Sequence, residues 1–391
     1  MRIQARLTLK PGKDKPIRQN HHWIFSGAVA QVDPFEEGDA AEVYSSDGER
    51  LGIAFLSKGK SIVGQMIAFG SETVEEALRS RVKSALAMRR ALFDPKETNA
   101  FRWINTEGDG IAGLIVDVYR DVLVIQISTS GIERCKDFLV SLLKEAFQPR
   151  AIFEKSTSAL RKREGLSEQK GLLYGESDPN VEVLERGMGF SVNVLEGQKT
   201  GLFLDQREMR ALIRELARDR QVLNCFSYTG GFSIAALMGG AEIVHSVDIS
   251  AKCGPAIDRN LELNRLALNK HRFIAEDAID YLIREPLSYD LIILDPPAFA
   301  KKRQDLPKAS HAYQKLNRKV LEKMKSGSLL LTCSCSSQVD EKHFQNLLFK
   351  ASFEAKRSVK ILSKHRLAFD HPISIYHPET SYLKSLLLYV E

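Results

Sequence analysis

The chain carries 391 residues, 43% hydrophobic and 27% charged, with a net charge of +6. That length exceeds one hydrophobic core, so two or three domains are expected, and no run of about 18 apolar residues offers a membrane-spanning helix. The opening MRIQARLTLKPGKDK lacks the apolar stretch of a secretory signal, and five cysteines without framework spacing fit a reducing compartment, so the expectation is a cytoplasmic protein with no membrane partner.

Residues 1–30 hold six Lys/Arg against one acid, a charge that either attracts phosphate backbones or solvates a face. Over 1–68 the short runs RIQARLTL, AEVYSS, LGIAFLS and SIVGQMIAF are separated by Gly and Asp-Gly turns, which predicts a small β module. The segment 72–93 spaces Val74, Leu78, Val82, Leu86 and Met88 toward one side of an amphipathic connecting helix. FRWINTEGDGIAGLIVDVYRDVLVIQIS (101–128) reads as three strands, followed by a helix at about 131–147 and a strand at AIFEKS. These form an α+β insert without a catalytic signature. Residues 156–170 are polar and read as surface.

From about 185 the pattern becomes alternation. Strands QVLNCFSY, EIVHSVDI, HRFIAED, YDLIILDPP and GSLLLTCSCS are separated by helical segments, which indicates a parallel sheet covered on both faces. After a further helix near 338–353, RSVKILSKH and SYLKSLLLYVE follow one another without a helical crossover and should pair antiparallel. A doubly wound sheet of seven strands ending in a reversed hairpin is the methyltransferase variant of the Rossmann-like α/β fold. The expected domains are 1–70, 71–184 and 185–391.

Five features carry chemistry. In VLNCFSYTGGFSIAAL (222–237) a buried strand runs into Phe226, Tyr228, Thr229 and Gly230 and then an Ala-rich helix. Glycine there lets the backbone approach a ligand closely. The GxGxxG of dinucleotide enzymes is absent, which disfavours an oxidoreductase. Asp248, Asp277 and Asp295 end three consecutive strands, at the edge where open α/β sheets bind ligands. Asp248 suits ribose hydroxyls and Asp277 an adenine amino group, although a lone Asp at such a place also serves as a helix cap. GQKTGLFLDQREMR (197–210) precedes the first core strand and offers Lys199 and Thr200 to the cofactor. Asp295-Pro296-Pro297 forces the chain out of the sheet as a rigid loop. Enzymes that methylate exocyclic amines carry an aromatic directly after such a triplet, and here Ala298 intervenes before Phe299. Finally, LLLTCSCSS (329–337) places Cys333 and Cys335 on one face at a strand end. Methylation of pyrimidine carbon 5 requires a thiolate at carbon 6. Small buried hydrophobes are the alternative for both cysteines. The segment 300–325 adds nine Lys/Arg against two acids.

With these residues in hand, the chain resembles the PUA-domain methyltransferases of large-subunit ribosomal RNA that form 5-methylcytosine. The likeness rests on NHHWIFSGAV (20–29), EGDGIAGLIVDVYRDVLVIQ (107–126), and GQKTGLFLDQR, FSYTGGFS, LDPPAF, SCS and DHP…PE…YLK in the same order. The resemblance implies S-adenosyl-L-methionine as cofactor, ribosomal RNA (naked or in a particle) as partner, no metal, and a PUA-like RNA-binding barrel at the front. It implies Gly230, Asp248, Asp277 and Asp295 as the cofactor and catalytic rim, and Cys335 as nucleophile, with Cys333 an extra. Better-known RNA cytosine methyltransferases have a second cysteine beside the fourth strand. Here that place is Asp-Pro-Pro, which leaves Asp295 as the nearest residue to take the carbon 5 proton. Methylation of guanine N2 or uracil carbon 5, or a non-catalytic role in RNA binding and ribosome assembly, are the competing expectations. The oligomeric state, a homodimer included, is left open.

Overall fold

The computed structural model describes residues 2–300, 302–364 and 367–391. It divides into two compact units, one of residues 1–184, 192–204 and 369–380 and the other of 185–191, 205–368 and 381–391. Two segments from the region expected to be catalytic thus fold with the first unit.

In the first unit a six-stranded sheet runs in the spatial order Trp23–Phe25, Ile62–Phe69, Arg50–Leu56, Ala40–Tyr44, Ala5–Leu9 and Val29–Val32. Four of these strands are the runs read from the sequence. Trp23–Phe25 and Val29–Val32, at 3 and 4 residues, are too short to show alternation. Leu7, Leu9, Ile24, Val43, Leu56 and Met66 fill the interior. The helix Val74–Leu92 begins with a capping box, Thr73 and Glu76 each satisfying the other's backbone N–H. It buries Val74, Leu78, Val82 and Leu86 as expected, but Arg89 rather than Met88 completes the inner face. Arg89 is buried because it forms a bidentate pair with Asp109, at 2.5 and 2.7 Å.

A five-stranded sheet follows, in the order Gln169–Gly175, Ala151–Ser156, Val122–Ile127, Leu114–Tyr119, Ala100–Asn105. The helix expected at 131–147 is two, Ser130–Arg134 and Lys136–Phe147. Residues 156–170 are not purely surface. They contain the short helix Ala159–Arg163, whose Arg161 is buried and donates to the Ile127 carbonyl and the Glu133 carboxylate. A single core runs from Ile53, Phe55 and Ile67 of the six-stranded sheet through Leu78 and Val82 to Trp103, Val116 and Leu139 of the insert. The six-stranded sheet and the insert are therefore packed as one body, although their sequences read as separate modules.

The second unit contains a seven-stranded sheet. We label its strands β1 (Gln221–Cys225), β2 (Ile243–Asp248), β3 (His271–Ala275), β4 (Leu291–Leu294), β5 (Ser328–Ser334), β6 (Val359–Lys364) and β7 (Lys384–Val390). Their spatial order is β3-β2-β1-β4-β5-β7-β6, with β7 antiparallel to both β5 and β6. The helices are α1 (Arg207–Leu216), α2 (Gly231–Met238), α3 (Cys253–Leu263), α4 (Ala278–Arg284), α5 (Leu306–Lys323) and α6 (Glu341–Glu354). Residues of α4, α5 and α6, including Leu282, Val320 and Phe344, share a core with Leu223, Ile292 and Leu330 of the sheet. The strand order reverses between β1 and β4, the position where a doubly wound sheet opens a crevice at its carboxyl edge.

Candidate active site

The parallel register aligns that edge. Cys225 of β1 pairs with Val247 and Leu294, Val247 with Ile274, and Leu294 with Thr332. Everything the chain adds beyond this row projects from one rim of the sheet.

The loop leaving β1 alternates its backbone. Phe226, Tyr228 and Gly230 all have positive φ, at 61°, 48° and 77°. Two of these are not glycine, so the surrounding structure holds the loop in a conformation that costs of order 1–3 kcal/mol per residue. One of its holders is Asp248. Its Oδ2 accepts from the Tyr228 N–H at 2.9 Å and its Oδ1 from the Ser250 N–H at 3.0 Å. An ionised carboxylate has about four acceptor positions, so this carboxylate fixes the loop and still has capacity for ligand hydroxyls. Asn260 of α3 adds a brace that no local pattern singles out, donating to the Thr229 carbonyl at 2.9 Å. Gly230 is the N-cap of α2, and a Cβ there would sit 2.8 Å from Ile257, so both φ and space require glycine.

Asp277 lies two residues beyond the end of β3, not at its end, and caps α4 by accepting from the N–H groups of Ile279 and Asp280 at 2.8 and 3.2 Å. The capping role weighed for it is present. Asp295 follows β4 directly and is half-buried. Asp248, Asp277 and Asp295 thus line the rim of three strands.

The two cysteines separate. β5 ends at Ser334, so Cys333 stays in the ladder opposite Ser385, while Cys335 lies past it. Cys333 is fully buried, and that burial pushes its thiol well above the ordinary value, with Asp295 adding to the effect. Cys335 is half-buried, and its Sγ–H points to the Pro296 carbonyl at 3.7 Å. The loop and the turn are further joined where the Ala300 N–H donates to Ser336 Oγ at 3.2 Å, with the Tyr313 hydroxyl 3.0 Å from the same oxygen. Phe299 packs against the Tyr313 ring, their centroids 4.6 Å apart. Lys384, the last residue of the YLK motif and given no role there, donates to the carbonyls of Ser336 and Tyr382 at 2.6 Å each. Tyr382 in turn donates its hydroxyl to Asp205.

Lys199 and Thr200 belong to the first unit. Lys199 has φ 49° and carries its ammonium 4.5 Å from the Phe203 ring centroid. Thr200 is fully buried; its hydroxyl donates to Asp117 at 2.6 Å and lies 2.8 Å from the Tyr119 hydroxyl. Asp117 also pairs with Arg102, at 2.8 and 3.0 Å. Of the basic 300–325 segment, Lys301 lies outside the described residues, and the remainder is largely α5. Among the described residues no group of three His, Cys, Asp or Glu side chains is arranged to hold a metal ion, and no helix is long and apolar enough to cross a membrane.

Set beside known proteins, residues 156–364 match the S-adenosylmethionine-dependent methyltransferase family and residues 7–69 match the PUA-like domain. The ribosomal RNA large subunit methyltransferase I of Alteromonas mediterranea is 36% identical over 394 residues, 98% of either chain. The protein of the same name from Vibrio cholerae is also 36% identical, covering 96% of this chain and 97% of its own. A Streptococcus mutans protein described as a SAM-dependent methyltransferase superposes with a TM-score of 0.84 at 26% identity, covering 98% of this chain and 99% of that one. A methyltransferase crystallised with SAH gives a TM-score of 0.85 at 26% identity and the same coverage.

Proposed function

The chain belongs to the ribosomal RNA large subunit methyltransferase I family, and from that premise we propose that it methylates carbon 5 of a cytosine in large-subunit ribosomal RNA through Cys335. It is an S-adenosylmethionine-dependent enzyme. The donor set fits that cofactor: Asp248 at the end of β2, with Asp277 and Asp295 just beyond β3 and β4, would accept from ribose hydroxyls and an adenine amino group, and the Phe226–Gly230 loop would offer backbone to the remainder. Bound there, the cofactor supplies an electrophilic methyl carbon on a sulfonium.

Carbon 5 of cytosine is too poor a nucleophile to take that methyl unaided. The Cys335 thiolate forms a bond to carbon 6, and the ring's 5,6 electron pair moves to carbon 5, which becomes enamine-like and nucleophilic. After transfer, a base removes the carbon 5 proton. The electrons of that C–H bond rebuild the 5,6 double bond and expel the Cys335 thiolate. Asp295, beside the Pro296 carbonyl that Cys335 faces, is the residue we assign to that proton. The target base must first leave its stack, at a cost of a few kcal/mol. We assign residues 1–70 to RNA binding, 71–184 to the insert and 185–391 to catalysis, and the reaction to the cytoplasm.

One observation carries the choice of nucleophile: Cys335 is half-buried past the strand end against the Asp-Pro-Pro loop, while Cys333 is sealed in the sheet. The separation of Phe299 from the triplet, and its packing on Tyr313, also favours carbon 5 over an exocyclic amine. RNA carrying 5-fluorocytosine at the target tests the reading, because fluorine blocks the final proton loss. We expect a covalent adduct mapped to Cys335. An adduct on Cys333, or turnover without an adduct, overturns it.

A further inference from the structure

Resting on the reading of Cys335 as nucleophile, we propose that Lys384 is its positioning residue, a buried cation that both fixes the turn bearing Cys335 and favours the thiolate. Lys384 opens β7, and the antiparallel register sets it opposite Ser334, the last residue of β5. Its ammonium donates to the carbonyl of Ser336, on the other side of Cys335, and to that of Tyr382, both at 2.6 Å. Cys335 is therefore bracketed. The residue before it is held by the ladder to Lys384, and the residue after it by the Lys384 side chain.

The charge is as specific as the geometry. Lys384 is only 6% exposed, and an ammonium so placed loses most of its hydration, which two neutral carbonyls replace incompletely. Burial lowers Lys384 to about 8, with the negative charges of Cys335 and Asp340 pulling the other way. Asp295 raises Cys333, the Tyr313 hydroxyl is turned to Ser336, and Tyr382 is bound to Asp205. The attraction between Lys384 and Cys335 acts on both groups, so the charge of the lysine favours the thiolate, and does so more strongly where water is excluded. A merely structural lysine would hold the two carbonyls without altering how Cys335 titrates.

Alkylation of the full-length protein with iodoacetamide across pH, read at Cys335 by peptide mass spectrometry, measures that titration without RNA or cofactor. The other four cysteines are buried and react slowly. We expect a wild-type midpoint below the ordinary thiol value of about 8.5. Lys384→Gln, which keeps a donor but no charge, should raise the midpoint by about one pH unit, so that alkylation at neutral pH falls about tenfold. Lys384→Arg should restore most of it. A folded Lys384→Gln with an unchanged midpoint overturns the proposal. If that variant does not fold, the wild-type midpoint decides: below about 8.5 supports the assignment, and at or above it overturns it. The nucleophile reading fails separately, if Cys335→Ser still methylates RNA. When Cys335 is essential and its midpoint ignores Lys384, the lysine assignment fails alone.

Discussion

Two sets of aspartates, one in each compact unit, show how the same side chain comes to do opposite work. In the first unit Asp109 and Asp117 are buried against guanidinium groups, Arg89 and Arg102 respectively. Asp370 joins them, accepting from the Arg102 N–H at 2.8 Å while its own carbonyl accepts from Arg89 at 2.8 Å. Thr200 closes the chain on Asp117. In the second unit Asp248 and Asp277 are half-buried and take hydrogen bonds from backbone N–H groups at a sheet rim. A buried carboxylate with an arginine is saturated and structural. A rim carboxylate held by main chain keeps acceptor capacity for a ligand. Removing one of the first kind should break the fold, and removing one of the second should break binding.

The largest effect is expected outside both sets, at the thiol which the rim serves. Cys335→Ser should reduce methyl transfer by at least about a thousandfold, since the covalent route is lost, while leaving cofactor affinity intact. Cys333→Ser should retain most activity, because that thiol is sealed in β5. Methyl transfer to RNA alongside calorimetric titration of the cofactor checks both. Activity lost in Cys333→Ser and kept in Cys335→Ser would reverse the assignment.

Next is the structural set. Asp109→Ala leaves Arg89 fully buried without its bidentate partner, and breaking such a pair costs about 3–5 kcal/mol. Chemical denaturation should show that loss. A variant of near wild-type stability would mean that Arg89 finds other acceptors, and the contrast between the two sets would weaken.

These pairs also mark where sequence reasoning stops. The rim was legible because its residues sit at or just past strand ends, and strand ends are visible in an apolar run followed by Asp, Gly or Pro. The sheet order and the reversed hairpin followed from the same runs. Arg89 was not legible: its helix shows an apolar face, and nothing local says that an arginine ends that face because Asp109 lies opposite. Asn260 and Lys384 act on the rim from α3 and β7, through contacts that link distant parts of the chain. Segments 192–204 and 369–380 fold with the first unit, where Thr200 donates to Asp117 and Asp370 accepts from Arg102, a tertiary fact absent from their own composition.

The rim set is tested by Asp248→Ala. Loss of a charged acceptor should weaken S-adenosylmethionine binding by about 1.5–3 kcal/mol, roughly ten- to a hundredfold. The Tyr228 and Ser250 N–H groups also lose their acceptor, but at a half-exposed rim water replaces it, so stability should change by less than about 1 kcal/mol. Calorimetry and thermal melting on one preparation separate the two. Unchanged affinity in a folded protein would remove Asp248 from the cofactor site, and a large fall in melting temperature would move it into the structural set.

The smallest effect, and the sharpest test of the contrast, is at Thr200. Its sequence neighbourhood, GQKTG ahead of the first core strand, suggests a loop over the cofactor. Its side chain instead lies fully buried, with its hydroxyl on Asp117 and beside Tyr119. Thr200→Val keeps the shape and removes only the hydroxyl. Asp117 would lose one acceptor bond but keep Arg102, so a cost of about 1–2 kcal/mol is expected rather than the full penalty of an unpaired charge. If Thr200 belongs with the buried aspartates, the melting temperature falls and S-adenosylmethionine affinity stays as it was. A fall in affinity with stability preserved would return Thr200 to the cofactor contacts, and would show that the burial of a hydroxyl beside a saturated carboxylate does not by itself assign it to structure.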